Sequence, residues 1–520
     1  MKFIAALALF TLASLRAAEP VMDVYVSTGD NHYLGSSLPI DSPASIAATM
    51  QRRPSGTAVP AVSVAGVSPA TAGQKSATPT GGTPVPHLHV NPTTGNDTND
   101  GRTQPVKTIA RAIRLAQPGD TIHLAPGTYF ESADLTNKHG LPDKPITLDG
   151  HGAVLDGSEP VTGKEWESLG HDLYRKVKLM PRMDDAIRTR WFFVWDGKMN
   201  RMGLCSKGPS APLKKPDELK ANEWTYVQGE DAFYIRLPAG QSLDAAHIRY
   251  PARSSAVVES ISGSWLTVRN ITGTHVYNDG YNIHGAQRHA KFENIAAIDC
   301  GDDGFSAHED ADCHIDGFTS IGNATGLCDT GTSQTHYRNV FIRGCHGFDL
   351  YFIGLAHSME NAIIESSAAR PFMLDGAALK DGQVCNVTLK NVLIRRTGEG
   401  PHELRINAGG HLRAERCTFL GLDVMMTPAA KIDLQQCILG GDAKPGVLLY
   451  ANTIWRGDGN HYDFKSLRVG QTSFTAATFA DFQKLTGSDK TSRWSAEPAG
   501  EGIGADEGSL QPLREGRERK

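Results

Sequence analysis

The sequence predicts an all-β fold: a right-handed parallel β-helix solenoid with an N-terminal helical cap and an inserted β subdomain. Three observations carry this reading. A phrase of the form apolar-x-apolar-x-Asn-apolar returns five times, as "LTVRNIT", "AKFENIA", "YRNVFI", "MENAII" and "LKNVLI". Its asparagines are Asn270, Asn294, Asn339, Asn361 and Asn391. With Gly317 filling the gap, the steps are 24, 23, 22, 22 and 30 residues. A period in the low twenties is one turn of a parallel β-helix, and coils that cannot bury an apolar face alone must stack. The second observation is "NDGYNIHG" at 278–285, which returns as "DDGFSAHE" at 302–309, with Gly280 and Gly304 offset by 24. The third is the Gly-rich composition (54 glycines) with charges of both signs interspersed, which suits a turn-rich chain.

Taken in order, residues 1–18 ("MKFIAALALFTLASLRAA") have an early lysine, an apolar run and small residues, the pattern of a secretory signal peptide. A secreted or periplasmic location is expected. No later run is long and apolar enough for a membrane span. Residues 19–86 are rich in Pro, Ser, Ala, Thr and Gly and bury too little apolar surface to order, although "VMDVYVSTG" suggests a strand. Residues 87–161 hold a strand, a helix at "TIARAIRLA" and the alternating strand "TIHLAPGTY". Residues 162–257 carry Trp166, Trp191, Trp195, Trp224, Tyr226 and Tyr234 and the turn "VWDGK", which read as an inserted β subdomain. Its aromatics either form a core or stack on sugars. Residues 258–470 are the main coils.

In those coils the asparagines are expected to form a ladder at a tight inner turn. Tyr281, Phe305, Leu327, Phe348 and Phe372 should stack inside, and the long fifth step places a loop near 396–404. "HLRAERCTFLG" and "KIDLQQCILGG" give two further coils with Cys417 and Cys437 equivalent. Residues 471–520 give a short helix, a closing segment and a frayed end at "LREGRERK". A capped solenoid is expected to be a monomer. Of the eight cysteines, seven fall in coils, where a buried thiol packs as a small apolar group, so mostly free thiols are expected. No CxxC spacing suggests zinc.

Net charge is −5, from 52 basic and 57 acidic residues, so the basic footprint of a nucleic-acid partner is missing. The acids of the repeat are harder to explain as core. Coils stack about 4.8 Å apart, so Asp279, Asp302 and Asp303 converge. Three carboxylates that close repel unless something positive sits among them, and Ca²⁺ is the expected guest. An ordinary Asp-Gly turn is the plainer reading of each acid alone. His308, aligned with His284 and followed by Glu309 and Asp310, is a candidate proton-transfer group.

Residues 87–132 ("GND…DG…TIARAI…PGDTI…PGTY") resemble the N-terminal cap and first coil of secreted β-helix proteins, a likeness of fold. "NDGYN" followed by "CGDDGFSAH" resembles the calcium site of family 9 polysaccharide lyases. The resemblance implies Asp279, Asp302 and Asp303 as metal ligands and a polysaccharide substrate containing uronic acid. The pattern's fourth acid falls at Ser306, leaving His308, Glu309 or Asp310 to compensate. No lysine stands where that family has its base, and Arg338 and Arg343 are the nearest basic residues. The expected catalytic set is therefore His308, Arg343 and Glu309, with Asp329 as a possible support. The expected reaction is β-elimination, in which Ca²⁺ neutralises the uronate carboxylate and a base takes the C5 proton. Glycoside hydrolysis by paired carboxylates, an epimerase, and a non-catalytic carbohydrate-binding or adhesive solenoid stand as alternatives.

Overall fold

The computed structural model describes residues 87–205, 207, 210–380 and 382–515. The signal peptide and leader expected over 1–86, with the strand at "VMDVYVSTG", lie outside the described residues. Among the described residues a 17-stranded and a 12-stranded sheet run the length of a parallel β-solenoid. Each central coil contributes one long strand to the first sheet and one short strand to the second. Leu266–Thr274, Ala290–Ile298, Asp312–Ile321, Gln334–Arg343 and Ala356–Ser366 stack in register in the long sheet. Tyr281–Ile283, Asp303–Ala307, Thr325–Asp329 and Phe348–Phe352 stack in the other.

The asparagine repeat has a backbone cause. All five asparagines hold positive φ angles of 51–58°, and Gly317 takes the same role at 82°. Asparagine is among the few residues that enter this left-handed region readily. They sit half-buried at a bend within the long strand, where the register shifts beside Asn270, rather than at an inner turn. Asn294 Nδ2 donates to Asn270 Oδ1 at 2.8 Å and Asn391 Nδ2 to Asn361 Oδ1 at 2.9 Å. The ladder breaks at Gly317, which has no amide, so Asn339 Nδ2 donates to Asp316 Oδ1 instead (2.6 Å).

Tyr281, Phe305 and Leu327 stack in the core as expected, but Leu350, not Phe348, continues the row to Phe372. Phe348 lies opposite Thr325 and packs in a separate cluster with Tyr351, Cys328 and Met373. The long fifth step holds its extra residues at 375–384, between Arg370–Leu374 and Cys385–Arg396, and not at 396–404. A step that ends on Asn391 must take up its insertion before that residue. Cys417 and Cys437 fall at equivalent places, each just ahead of a paired strand (Thr418↔Ile438). All eight cysteines are free, seven of them buried.

The helix Ile109–Leu115 begins at Thr108, whose side chain accepts from Arg111 N–H, and buries Ile109, Ala112 and Ile113 against the first coil. The strands Ile146–Asp156 and Leu266–Thr274 are direct neighbours. The chain between them leaves the solenoid and builds two four-stranded antiparallel sheets. The turn in "VWDGK" is a two-residue hairpin with Asp196 and Gly197 both at positive φ, joining Phe193–Trp195 to Lys198–Asn200. Trp191, Phe193, Trp224 and Phe233 are buried together, so these aromatics form a core rather than a sugar-stacking surface.

At the C-terminal end the helix Phe479–Thr486 forms where a short helix is expected. Of the segment expected to fray, 513–520, Leu513 and Arg514 belong to the helix Glu507–Arg514, and 516–520 lie outside the described residues. Leu510 and Leu513 of the helix Glu507–Arg514 pack on Ile298, Ile321, Phe341, Ile363 and Leu393, and Arg514 reaches Glu365 at 3.0 Å. No helix among the described residues is long and apolar enough to cross a membrane.

Candidate functional site

The repeated Asp-Gly is a packing device before it is a chemical one. A Cβ on Gly280 would lie 2.6 Å from Ala297 Cβ and 2.9 Å from the carbonyl oxygen of Gly304. On Gly304 it would lie 2.8 Å from that of Gly326. Glycine recurs because successive coils approach too closely here for a side chain, and that approach superimposes the acids. Asp279 Oδ1 accepts the Asp303 N–H at 3.0 Å, tying one coil to the next.

Asp279, Asp302 and Asp303 each bring one oxygen within 4.8 Å of the others, the grouping a metal ion needs. All three are buried, at 0–1% exposure. Two cations of the inserted segment stand among them. Lys207 Nζ lies 2.6 Å from Asp303 Oδ1 and 3.9 Å from Asp302 Oδ1, and 5.4 Å from the Tyr351 ring centre. Arg190, the last residue of the helix Asp185–Arg190, brings Nε within 2.9 Å of Asp302 Oδ2, while Nη1 donates to Asn278 Oδ1. Burial, and then the negative charge of Asp303, push the Asp279 carboxyl up to about 7, against the opposing pull of Arg190. Burial also holds Asp302 well above the usual carboxylate range.

This arrangement does not fit a calcium ion bridging protein to substrate. Asp302 and Asp303 are sealed from solvent, and the Lys207 ammonium already stands 2.6 Å from Asp303 Oδ1 and 3.9 Å from Asp302 Oδ1. The need for positive charge is met by the chain itself.

Asp279 is the acid of the three that lines a pocket of about 300 Å³ between the inserted helix and the coil turns. Arg182, Arg190, Tyr277, Asn282 and His284 share its wall. His284 Nδ1 lies 3.1 Å from Glu309 Oε2, and Glu309 also accepts the Gly285 N–H at 2.8 Å. The hydrogen bond from His284 holds the Glu309 carboxyl at about 2, so Glu309 is an acceptor and His284 Nδ1 carries the hydrogen. With the hydrogen on Nδ1, Nε2 is the His284 atom that faces a proton transfer. Arg190 Nη2 is buried without a hydrogen-bond partner, an unanswered donor in the same wall.

The residues expected from sequence separate into two groups. His308 lies beneath the pocket rather than in it. Its ring stacks on His284 at 4.2 Å, and it is buried, with Nε2 against Ser306 Oγ and Nδ1 3.0 Å from Thr330 Oγ1. Burial, then the neighbouring His284, keep it neutral by pulling it well below the ordinary imidazole value. Arg343 is placed on the long sheet, at the end of Gln334–Arg343, with its guanidinium 5.5 Å from the Phe341 ring. Asp303 stands on the other sheet. Asp329 is a core residue that accepts from Thr335 Oγ1 (2.7 Å) and Tyr337 OH (2.9 Å). Asp310 pairs with Arg288, and Arg338 with Glu360 at 3.9 Å.

Sequence reasoning missed Arg190 and Lys207, which lie 112 and 95 residues before Asp302 and carry no motif. The signal available was a demand: three converging acids call for buried positive charge. Its source is not local.

Fold and site together define a parallel β-helix whose stacked turns carry a buried acid cluster beside an acid–histidine pocket. Residues 93–145 match a family described as a protein of unknown function, DUF1565. Over 86 residues the chain is 35% identical to the uncharacterized protein YwoF of Bacillus subtilis (strain 168), a match covering 16% of this chain and 18% of that protein. Solved structures resemble it at low identity, among them the three that follow. The complex of XylC with xylose is 13% identical at TM-score 0.45, covering 75% of this chain and 86% of that one. A glycoside hydrolase is 12% identical at 0.43, covering 74% and 95%. Pectate lyase Pel9A is 12% identical at 0.32, covering 80% and 81%.

Proposed function

We propose that this chain is a polysaccharide-active β-helix enzyme that cleaves uronic-acid-containing glycans by β-elimination in the pocket beside Asp279. The observation that carries the reading is one wall holding three complementary groups: a carboxyl raised to about 7, a carboxylate-oriented histidine, and a buried arginine with an unanswered donor. Arg190 receives the uronate carboxylate, which makes the C5 hydrogen acidic enough to remove. His284 Nε2 takes that proton, and the C4–O4 bond breaks as a C4–C5 double bond forms. Asp279, whose carboxyl is raised to about 7 and so is protonated in a large fraction of molecules at neutral pH, gives its proton to the departing O4. Glu309 holds His284 in the required tautomer. Positive charge comes from arginine and lysine, so calcium has no step in this scheme.

Hydrolysis is the second reading, favoured by the same protonated Asp279, a fitting general acid. One experiment separates the classes: purified protein is incubated with uronic-acid and neutral polysaccharides, with calcium and with a chelator. A lyase yields the ultraviolet absorbance of an unsaturated uronide, undiminished by chelator. Reducing ends without that absorbance mark a hydrolase. Neither product on any glycan sinks the catalytic reading and leaves a binding solenoid.

A further inference from the structure

Outside that pocket, the first coils carry a second constellation. His87 and His89 project from the strand His87–Val90 on its exposed side, while Leu88 and Val90 face the core. The stacking register sets His89 against His123 and His123 against Asp149. His151 joins them through a local turn. Flanked by two glycines, it holds a positive φ of 48°, which a histidine enters at a cost. His87 Nδ1 and His123 Nε2 are 2.8 Å apart, and so are His123 Nδ1 and His151 Nε2. The His123 and His151 rings stack at 5.1 Å. Asp149 is buried and fixed by Arg269 Nε at 2.8 Å and Asn270 Nδ2 at 2.9 Å. His151 Nδ1 stands 3.7 Å from Asp149 Oδ1.

We infer that His123, His151 and Asp149 form a binding site for a borderline divalent transition metal of the zinc class. One ligand atom from each lies within 4.8 Å of the others. Two imidazoles and a carboxylate suit zinc, copper or nickel rather than calcium, which prefers oxygen alone. Three protein ligands leave a fourth position, and the His151 side chain, 45% exposed, opens it to solvent. Zinc–nitrogen bonds of about 2.0–2.1 Å in a tetrahedron separate two nitrogens by roughly 3.3 Å. The His123–His151 pair therefore needs to part by only about half an ångström, a small swing for the exposed ring. Arg269 and Asn270 hold the carboxylate as outer-shell partners do in metal sites.

The test uses the full chain without an affinity tag, stripped with chelator and titrated with Zn²⁺ against a chromophoric competitor, and in parallel with Co²⁺. One equivalent of tight Zn²⁺ and a tetrahedral cobalt spectrum are expected. His123→Asn should weaken binding at least 100-fold. So should His151→Asn, chosen because asparagine tolerates the left-handed backbone. His411→Ala, another outward histidine, should leave it unchanged. Absence of saturable Zn²⁺ binding, or binding undiminished in the His123→Asn/His151→Asn double variant with an unaltered circular dichroism spectrum, overturns the site.

Discussion

Replacing Lys207 with methionine keeps an unbranched side chain as far as Cε and deletes the ammonium. Lys207, Asp302 and Asp303 have side chains with no solvent exposure, so water cannot substitute for the ammonium. At an effective dielectric of about 20, the 2.6 Å contact with Asp303 corresponds to roughly 6 kcal/mol of gross attraction. Desolvating the ammonium offsets several kcal/mol of that, and removing one partner of a buried pair costs about 3–5 kcal/mol net. Urea unfolding at pH 8, followed by the fluorescence of buried Trp191 and Trp224, should show a loss in that range. The deficit should shrink on acidification. Lys207 opposes the upward shift of the buried Asp279 and Asp302 carboxyls, so its loss raises both further, and the variant keeps stability at low pH and loses it as pH rises. The Lys207→Met/Asp303→Asn double variant should recover part of the loss. Calcium should stabilise Lys207→Met and leave the parent unaffected. A Lys207→Met protein within about 1 kcal/mol of the parent at pH 8, or a deficit that ignores pH, would refute the internal-cation argument.

Three further outcomes follow from the same geometry. Asp279 is raised from 3.8 to about 7, so its contribution is present below about pH 4 and lost as pH climbs through 7, amounting to up to about 4 kcal/mol. Asp279→Asn should flatten that part of the stability–pH curve, measured by urea unfolding at pH 5 and 8; an unchanged slope counts against the raised carboxyl. His284→Ala should lower turnover of the responsive glycan by about 10²–10⁴-fold while thermal stability barely moves. Equal losses of activity and stability would return His284 to a structural role. At Asn339, φ 57°, valine should cost about 1–3 kcal/mol and glycine less, read from thermal melts; indifference to valine would mean the bend does not need the left-handed backbone.

The solenoid was legible in the sequence because it is a periodic object. Each Asn at positive φ and each Asp-Gly recurs at the coil length, so a repeated local constraint reports the global stack. The same periodicity exposed the convergence of Asp279, Asp302 and Asp303, since register alone decides which side chains meet. The misplacement of Phe348 shows the limit. Equal spacing did not reveal that its coil sets Leu350 under Leu327, a matter of how one turn is spent between two sheets.

What the sequence could not determine was which groups complete the acid cluster and which histidine faces solvent. His284 and His308 are equivalent in the repeat. One lines the pocket and the other is buried beneath it, because the next coil covers His308 with Thr330. Arg190 and Lys207 come from a segment with no periodic relation to the coils, and only its docking sets their charges against Asp302 and Asp303. Stacking is a short-range rule repeated many times and so is written into the chain. The partners of a buried charge are chosen by contacts between distant segments, and those exist only once the tertiary structure has formed.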